Sequence, residues 1–280
     1  MVGVLYIVAT PIGNLEDISL RAIRVLKEVD LIAAEDTRHT QILLNHHDIR
    51  TPMTSYQEHN ERAKAPQIVE RLKRGESIAL VSDAGTPAIS DPGYRLIVET
   101  IRAGIRVIPV PGASALTAVL SASGLPTDRF VFEGFLPAKK RERRERLQAL
   151  RGELRTLVFY EAPHRLTESL HDMHEILGDR EVVLAREVSK VHEEFVRGRL
   201  SEVIREMSKR EVVGEVTLVI TGSSGESGLS QNLLRSEISK LKAAGFRVKE
   251  IAELLGEKFG IAKREIYRMA LETDETKGRK

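Results

Sequence analysis

Gly3-Val-Leu-Tyr-Ile-Val-Ala9, followed by Thr10-Pro-Ile-Gly-Asn14, is the stretch on which the reading of the fold turns. Seven residues without a polar side chain other than the Tyr6 hydroxyl predict a strand buried on both faces rather than a half-solvated one. A Pro/Gly turn then closes it. Directly after, Leu20, Ile23, Leu26 and Val29 recur in steps of three with Arg21, Arg24 and Lys27 between them, which predicts an amphipathic helix over Ser19–Val29. The same alternation continues: strand at Asp30–Ala34, helix at Asn60–Lys73 with Gly75 behind it as a C-terminal stop, strand at Ile78–Val81, helix at Tyr94–Ala103, strand at Ile105–Val110, helix at Ala113–Ala122. Apolar strands separated by helices imply an α/β domain on a mainly parallel sheet.

Gly124-Leu-Pro126 interrupts this rhythm, and a second α/β segment starts at Phe130. Its clearest strands are Thr156–Tyr160, Glu181–Arg186 and Glu215–Thr221, with helices near His164–Leu177 and Ser201–Ser208. The expected organisation is therefore an N-terminal α/β domain over 1–120 and a second over 121–222. A Gly/Ser linker over 223–230 and a helical, helix-turn-helix-like segment over 231–280 follow.

Composition narrows the chemistry. The chain has no cysteine, which removes thiolate nucleophiles, thiolate metal sites and disulfides, and fits a reducing, cytoplasmic setting. No apolar run reaches the roughly 20 residues of a membrane span, and no basic stretch precedes the first apolar strand as a signal peptide would require. His46-His47 and His171-x-x-His174 lack a third ligand at useful spacing, so no metal is expected. Net charge is only +2, but it is uneven: Lys139–Arg151 holds seven basic residues against Glu142 and Glu145. With five Tyr, seven Phe and no Trp, a broad base-stacking surface is excluded, whereas a phosphate-contacting arm is not. Lys139, Lys140, Arg143 and Arg144 are its expected RNA contacts, with Lys263 and Arg264 of the C-terminal segment as a second set; the other reading of each is a solvated helix face.

Three loops sit where ligands bind in open α/β sheets, at the carboxyl ends of strands. They are Ala9–Asn14, Ser82-Asp-Ala-Gly-Thr-Pro-Ala-Ile-Ser-Asp-Pro-Gly93, and Pro109-Val-Pro-Gly-Ala-Ser114, the last leading straight into a helix. None is GxGxxG or GxxxxGK[ST], so neither a dinucleotide nor a P-loop fingerprint is present. Glu35-Asp36-Thr-Arg38, Glu58-His59-Asn60 and Lys190-Val-His192-Glu193-Glu194 add polar clusters that serve either as helix caps and surface ion pairs or as acid–base groups.

These segments, with Gly214-Glu-Val-Thr-Leu-Val-Ile220, stand in the order and spacing of the tetrapyrrole methylase superfamily. Ala34-Glu-Asp-Thr-Arg38, Ser55-Tyr-Gln-Glu-His-Asn60, Tyr160-Glu-Ala-Pro-His-Arg165 and Arg186–Glu194 resemble its ribosomal RNA small-subunit methyltransferase I branch more narrowly. The resemblance implies two α/β domains with S-adenosylmethionine in the cleft between them, a homodimer, and 2′-O-methylation of a cytidine ribose in 16S ribosomal RNA of the small subunit. It implies donor contacts at Pro11, Ile12, Asp83, Gly85, Thr86, Ala88, Ala113, Ser114, Tyr160, Ala185, Val216 and Thr217. Asp36, Arg38, Lys190 and Glu193 are the candidates for activating the hydroxyl, Lys190 being expected beside Glu193. The first loop reads Ala9-Thr10-Pro11 where the superfamily has Gly-x-Gly, and the second reads Ala84-Gly85-Thr86 where it has Gly-Asp-Pro, which weighs against a porphyrin. The alternatives are a tetrapyrrole or translation-factor methyltransferase, or a non-enzymatic nucleic-acid-binding regulator.

Overall fold

The computed structural model describes residues 2–224, 231–259 and 263–275. The first half alternates strand and helix as expected: β1 (Val4–Val8), α1 (Leu20–Glu28), β2 (Leu31–Ala34), α2 (Thr37–His46), β3 (Met53–Ser55), α3 (Glu61–Lys73), β4 (Ile78–Val81), α4 (Tyr94–Arg102), β5 (Arg106–Val110) and α5 (Ala115–Ser123). Of these, α2 and β3 are additions, a helix and a strand where the periodicity marked none. The five strands form one wholly parallel sheet in the order β3-β2-β4-β1-β5. β2 and β4 are buried at every position, as strands with helices on both faces must be. Ser19 caps α1 through its side chain, which accepts from the Ala22 amide, and Gly75 ends α3 at φ +99° while Glu76 N–H reaches back to the Arg71 carbonyl.

The second half contains β6 (Phe130–Phe135), α6 (Lys140–Leu150), β7 (Thr156–Glu161), α7 (Leu166–Leu177), β8 (Glu181–Arg186), β9 (Glu194–Arg199), α8 (Leu200–Met207) and β10 (Val216–Ile220). Its sheet runs β6-β7-β10-β8-β9, with β6 and β7 parallel and the other neighbours antiparallel. β9 escapes the sequence reading because Glu194-Phe-Val-Arg-Gly-Arg199 is an edge strand with one buried side chain, Val196, and so carries no apolar run. Each sheet has its own apolar core, one around Leu26, Ile32 and Val81 with its counterpart around Leu72 and Leu80, the other around Phe159, Leu184 and Leu218.

Beyond residue 230 lie α9 (Gln231–Ala243), α10 (Val248–Phe259) and α11 (Lys263–Glu275), packed on one another through Leu234, Ile238, Ile251, Leu255, Ile266 and Ala270. Residues 225–230 of the expected linker, and the turn between α10 and α11, fall outside the described residues. No helix among the described residues is long and apolar enough to cross a membrane.

The basic run requires a correction. Arg143 is 1% exposed, its Nε donates to Asp172 Oδ2 at 2.8 Å, and its Nη2 lies 3.2 Å from Glu168 Oε2. Arg143 therefore belongs to the interface between α6 and α7 and is removed from the RNA contacts. Arg144, one-third exposed, is bound to Asp172 and to both oxygens of Glu175. The reason is helical phase: Arg143, Leu147 and Leu150 are spaced i, i+4, i+7 and form the buried stripe of α6, so counting charges along the run hid which one faces inward. Lys139 and Lys140 stay exposed, as do Lys263 and Arg264.

Candidate functional site

The first two strand-end loops are tied together by their backbones. Thr10 N–H donates to Gly85 O at 2.8 Å, Gly85 N–H returns to Thr10 O at 3.0 Å, and Thr10 Oγ1 donates to Ser82 O. Gly85 holds φ +82°, in the left-handed region where a side chain would strain the turn. A second clasp joins β2 to β4: Asp83 N–H donates to Glu35 Oε2 at 3.2 Å, and Asp36 N–H donates to Asp83 Oδ1 at 2.9 Å. Ala88 at φ +69° and Ser90 at φ +64° follow in the same loop, while Glu187 at φ +53° and Ser189 at φ +68° bend the loop after β8. Backbone strain of this kind collects at functional sites, and these two loops contribute Ser90 and Lys190 to the cavities described next.

A cavity of about 370 Å³ opens between the two sheets. Ile12, Asp83, Gly85 and Thr86 line it from the first half, Ser114 from the start of α5, and Tyr160, Val216 and Thr217 from the second half. Pro11 lines the neighbouring cavity instead, and Ala88, Ala113 and Ala185 stand outside both linings. Ala113 contributes its carbonyl, which accepts from Thr86 Oγ1 at 3.3 Å; Ala185 is fully buried, paired with Thr217 in the sheet. Ser114 occupies the cap position of α5 without a side-chain cap bond, and Tyr160 Oη accepts from Leu116 N–H at 3.1 Å. One wall is acidic, with Glu35, Asp83, Asp91 and Glu215 together. Burial raises Glu35 above the ordinary carboxylate range, and burial followed by the charges of Glu35, Asp83 and Glu215 pushes Asp91 up to about 7. Asp91, Glu215 and Glu187 are not among the expected site residues, because nothing in the spacing brings three loops' carboxylates together.

A second cavity of about 290 Å³ adjoins the first across Ile12, Asp83, Ala84 and Glu215, and Lys190 stands in its lining. The Lys190 ammonium donates to Glu187 Oε1 at 2.9 Å and to Glu215 Oε2 at 3.2 Å. Burial works against its charge, but these two carboxylates outweigh it and raise its pKa. Glu193 is not the partner that was expected: its Oε2 accepts from Ser189 N–H at 2.8 Å, shaping the loop instead. Gly13 makes room for this arrangement, since a Cβ there would sit 2.3 Å from Lys190 Cγ.

Asp36 caps α2, accepting from Arg38 N–H at 2.8 Å, and the Arg38 guanidinium clamps the same carboxylate at 3.1 and 2.7 Å. That clamp holds the Asp36 carboxyl down at about 2. Arg38 is 90% exposed and lies in neither of these linings, while Asp36 lines an outer cavity of about 600 Å³ with Glu58 and His59. Asn60 begins α3 but does not cap it; its Oδ1 accepts from Gln57 N–H. Among the described residues no group of three His, Asp or Glu side chains is placed to hold a metal ion.

The profile of the Tetrapyrrole (Corrin/Porphyrin) Methylases matches residues 4–204, nearly the whole of both sheets. The chain belongs to this family. Among its relatives, proteins named Ribosomal RNA small subunit methyltransferase I are 49% identical in Halalkalibacterium halodurans, over 95% of this chain and 93% of that protein, and 48% identical in Synechocystis, over 97% and 99%. The Thermotoga maritima protein of that name is 52% identical over 79% of this chain and 99% of its own length. Solved tetrapyrrole methylase folds are alike in architecture at low identity. A uroporphyrin-III-C-methyltransferase from Thermus thermophilus has a TM-score of 0.56 and 21% identity over 82% of this chain and 98% of its own. A diphthine synthase has 0.60 and 16% over 78% and 90%.

Proposed function

We propose that this chain uses S-adenosylmethionine to methylate the ribose 2′-hydroxyl of a cytidine in small-subunit ribosomal RNA. The observation that carries the reading is the pair of adjoining cavities: one with an acidic wall suited to a cationic donor, the other lined by a half-buried lysine, ion-paired to Glu187 and Glu215, where an acceptor hydroxyl would arrive. Relatives at about half identity over nearly the full length, named for methylation of the same RNA, support it.

The residues of the larger cavity fit the donor. Glu35, Asp83, Asp91 and Glu215 offer negative charge to a sulfonium and an α-ammonium, and the start of α5, where Ser114 makes no side-chain cap bond and Tyr160 takes only the Leu116 amide, offers its other amides to a carboxylate. When bound, the donor supplies an electrophilic methyl group to an in-line attack by the ribose oxygen. Lys190, kept charged by Glu187 and Glu215, stabilises the alkoxide that develops, and Glu215, 3.2 Å from that ammonium and lining both cavities, takes the hydroxyl proton. The Asp36–Arg38 clamp at the outer rim, with Lys139 and Lys140, positions the RNA backbone. The rim of α4, with Tyr94 at 76% and Ile101 at 59% exposure near the edge strand β5, supports a homodimer. The place of work is the cytoplasm.

Two results test this. Purified chain, given methyl-labelled donor and small subunits from cells lacking it, should place label in one 2′-O-methylcytidine. Label on a tetrapyrrole, or none on RNA, ends the reading. Donor affinity should also depend on pH. A cation bound beside Asp91 favours its ionised form, so binding tightens as pH rises through about 7. If binding lowers that carboxyl by one unit, the gain from pH 6 to pH 8 is about fivefold. Calorimetry should show this slope in the wild type and a flat profile in Asp91→Asn; equal slopes would separate Asp91 from the donor.

A further inference from the structure

The smaller cavity holds an unspent hydrogen-bonding group. Thr40, in the first turns of α2, is 3% exposed and part of that lining, and its hydroxyl has no partner. Helical threonines commonly bond the carbonyl four residues back. Here Asp36 O is taken by the Thr40 amide at 3.0 Å, and the hydroxyl makes no bond to it. Of the five buried side-chain polar atoms without a partner among the described residues, only the Thr40 hydroxyl belongs to a residue that lines one of these cavities, which is where a ligand group can satisfy it. Pro11, Ile12, Leu15 and Leu43 give the cavity an apolar side, His39 stands beside Thr40, and Asp83, Lys190 and Glu215 line the side toward the donor cavity; about 290 Å³ is room for one nucleoside but not for a duplex.

We infer that this cavity receives the base of the acceptor nucleotide, a pyrimidine turned out of its stack, with the Thr40 hydroxyl bonding the polar edge of the ring. The inference rests on the proposed RNA substrate and adds to it where the base goes. The wall shared with the donor cavity, Ile12, Asp83, Ala84 and Glu215, sets the geometry. A ribose at that wall, beside Lys190, presents its hydroxyl to the donor side while its base extends toward Thr40 and Leu43. Turning a nucleotide out of its stack is the general solution when the reacting atom cannot otherwise reach an enclosed site.

The test uses Thr40→Val, Thr40→Ser and Ile42→Trp, the last at a 61% exposed position on the cavity rim. Because the hydroxyl bonds nothing in the free protein, Thr40→Val should melt at or above the wild-type temperature and bind donor normally. Its KM for small subunits, and its Kd for cytidine 5′-monophosphate followed by amide shifts in α2, should rise roughly five- to tenfold, as expected for one neutral hydrogen bond. Turnover at saturating RNA should hold, and Thr40→Ser should recover wild-type values. Ile42→Trp should exclude the nucleotide while leaving donor affinity intact. Wild-type KM and nucleotide affinity in both Thr40→Val and Ile42→Trp would overturn the inference while leaving the RNA reading standing. If the wild type methylates no RNA, that reading falls, and nucleotide titration alone decides the cavity: binding weakened in Thr40→Val and lost in Ile42→Trp supports it, and unchanged binding in both variants, or none in the wild type, overturns it.

Discussion

Lys190→Ala binds the methyl donor with near wild-type affinity and loses about 10²–10⁴-fold in turnover at saturating RNA, the range that general acid–base and charge assistance supplies. The expectation follows from the electrostatics of one ammonium held by two carboxylates at 2.9 and 3.2 Å. Removing it leaves Glu187 and Glu215 facing each other with no cation between, so the developing alkoxide meets negative charge where it previously met positive. Lys190→Arg keeps the charge but not the compact geometry, and should recover part of the rate. Gly13→Ala offers an independent route to the same effect, because its methyl would lie 2.3 Å from Lys190 Cγ and must displace the side chain. Single-turnover kinetics with pre-bound donor separates chemistry from binding. Full turnover in Lys190→Ala would remove it from the reaction and leave Glu215 and positioning to carry catalysis.

Arg143→Met melts roughly 10 °C below the wild type, and the same change in Lys140 leaves the melting temperature unaltered. Taking one partner from a buried pair costs about 3–5 kcal/mol, because the remaining charge is left uncompensated, and each kcal/mol moves the midpoint by roughly 2–4 °C in a body of this size. Asp172, with its side chain 6% exposed, keeps Arg144 as a partner, which places the loss at the lower end of that range. The double variant Arg143→Met/Asp172→Leu should regain most of the stability, since a well-packed apolar pair replaces the ionic one. Scanning calorimetry on all three decides it; a single variant that melts with the wild type would return Arg143 to the surface. For RNA work the consequence is practical: charge reversal in this helix should be confined to Lys139 and Lys140, or lost binding will only report lost fold.

How much of this was legible beforehand depends on the range over which each signal acts. Strand-end loops were legible because Ala9–Asn14 and Ser82–Gly93 are short, local sequences whose Pro and Gly fix backbone direction directly behind apolar strands. The edge strand β9 was not, because its one buried side chain, Val196, leaves it without an apolar run or a periodic mark. Lys190 was singled out from its chain neighbours, and its neighbours misled: Glu193 is three residues away yet bonds a backbone amide, whereas Glu215 is 25 residues on and bonds the ammonium. Asp91 and Thr40 matter through burial, which no spacing within their own segments records.

What the sequence determined by itself was the alternation of apolar strands with amphipathic helices, and hence the α/β class, the parallel first sheet and the three loops at strand ends. Those properties follow from side-chain periodicity and turn chemistry within about a dozen residues. Only the tertiary structure decided the order β3-β2-β4-β1-β5, which charges are buried, and that Glu215 meets Lys190. These depend on contacts between residues tens of positions apart, where desolvation and pairing act together and a charge acquires its role from whatever the fold packs against it.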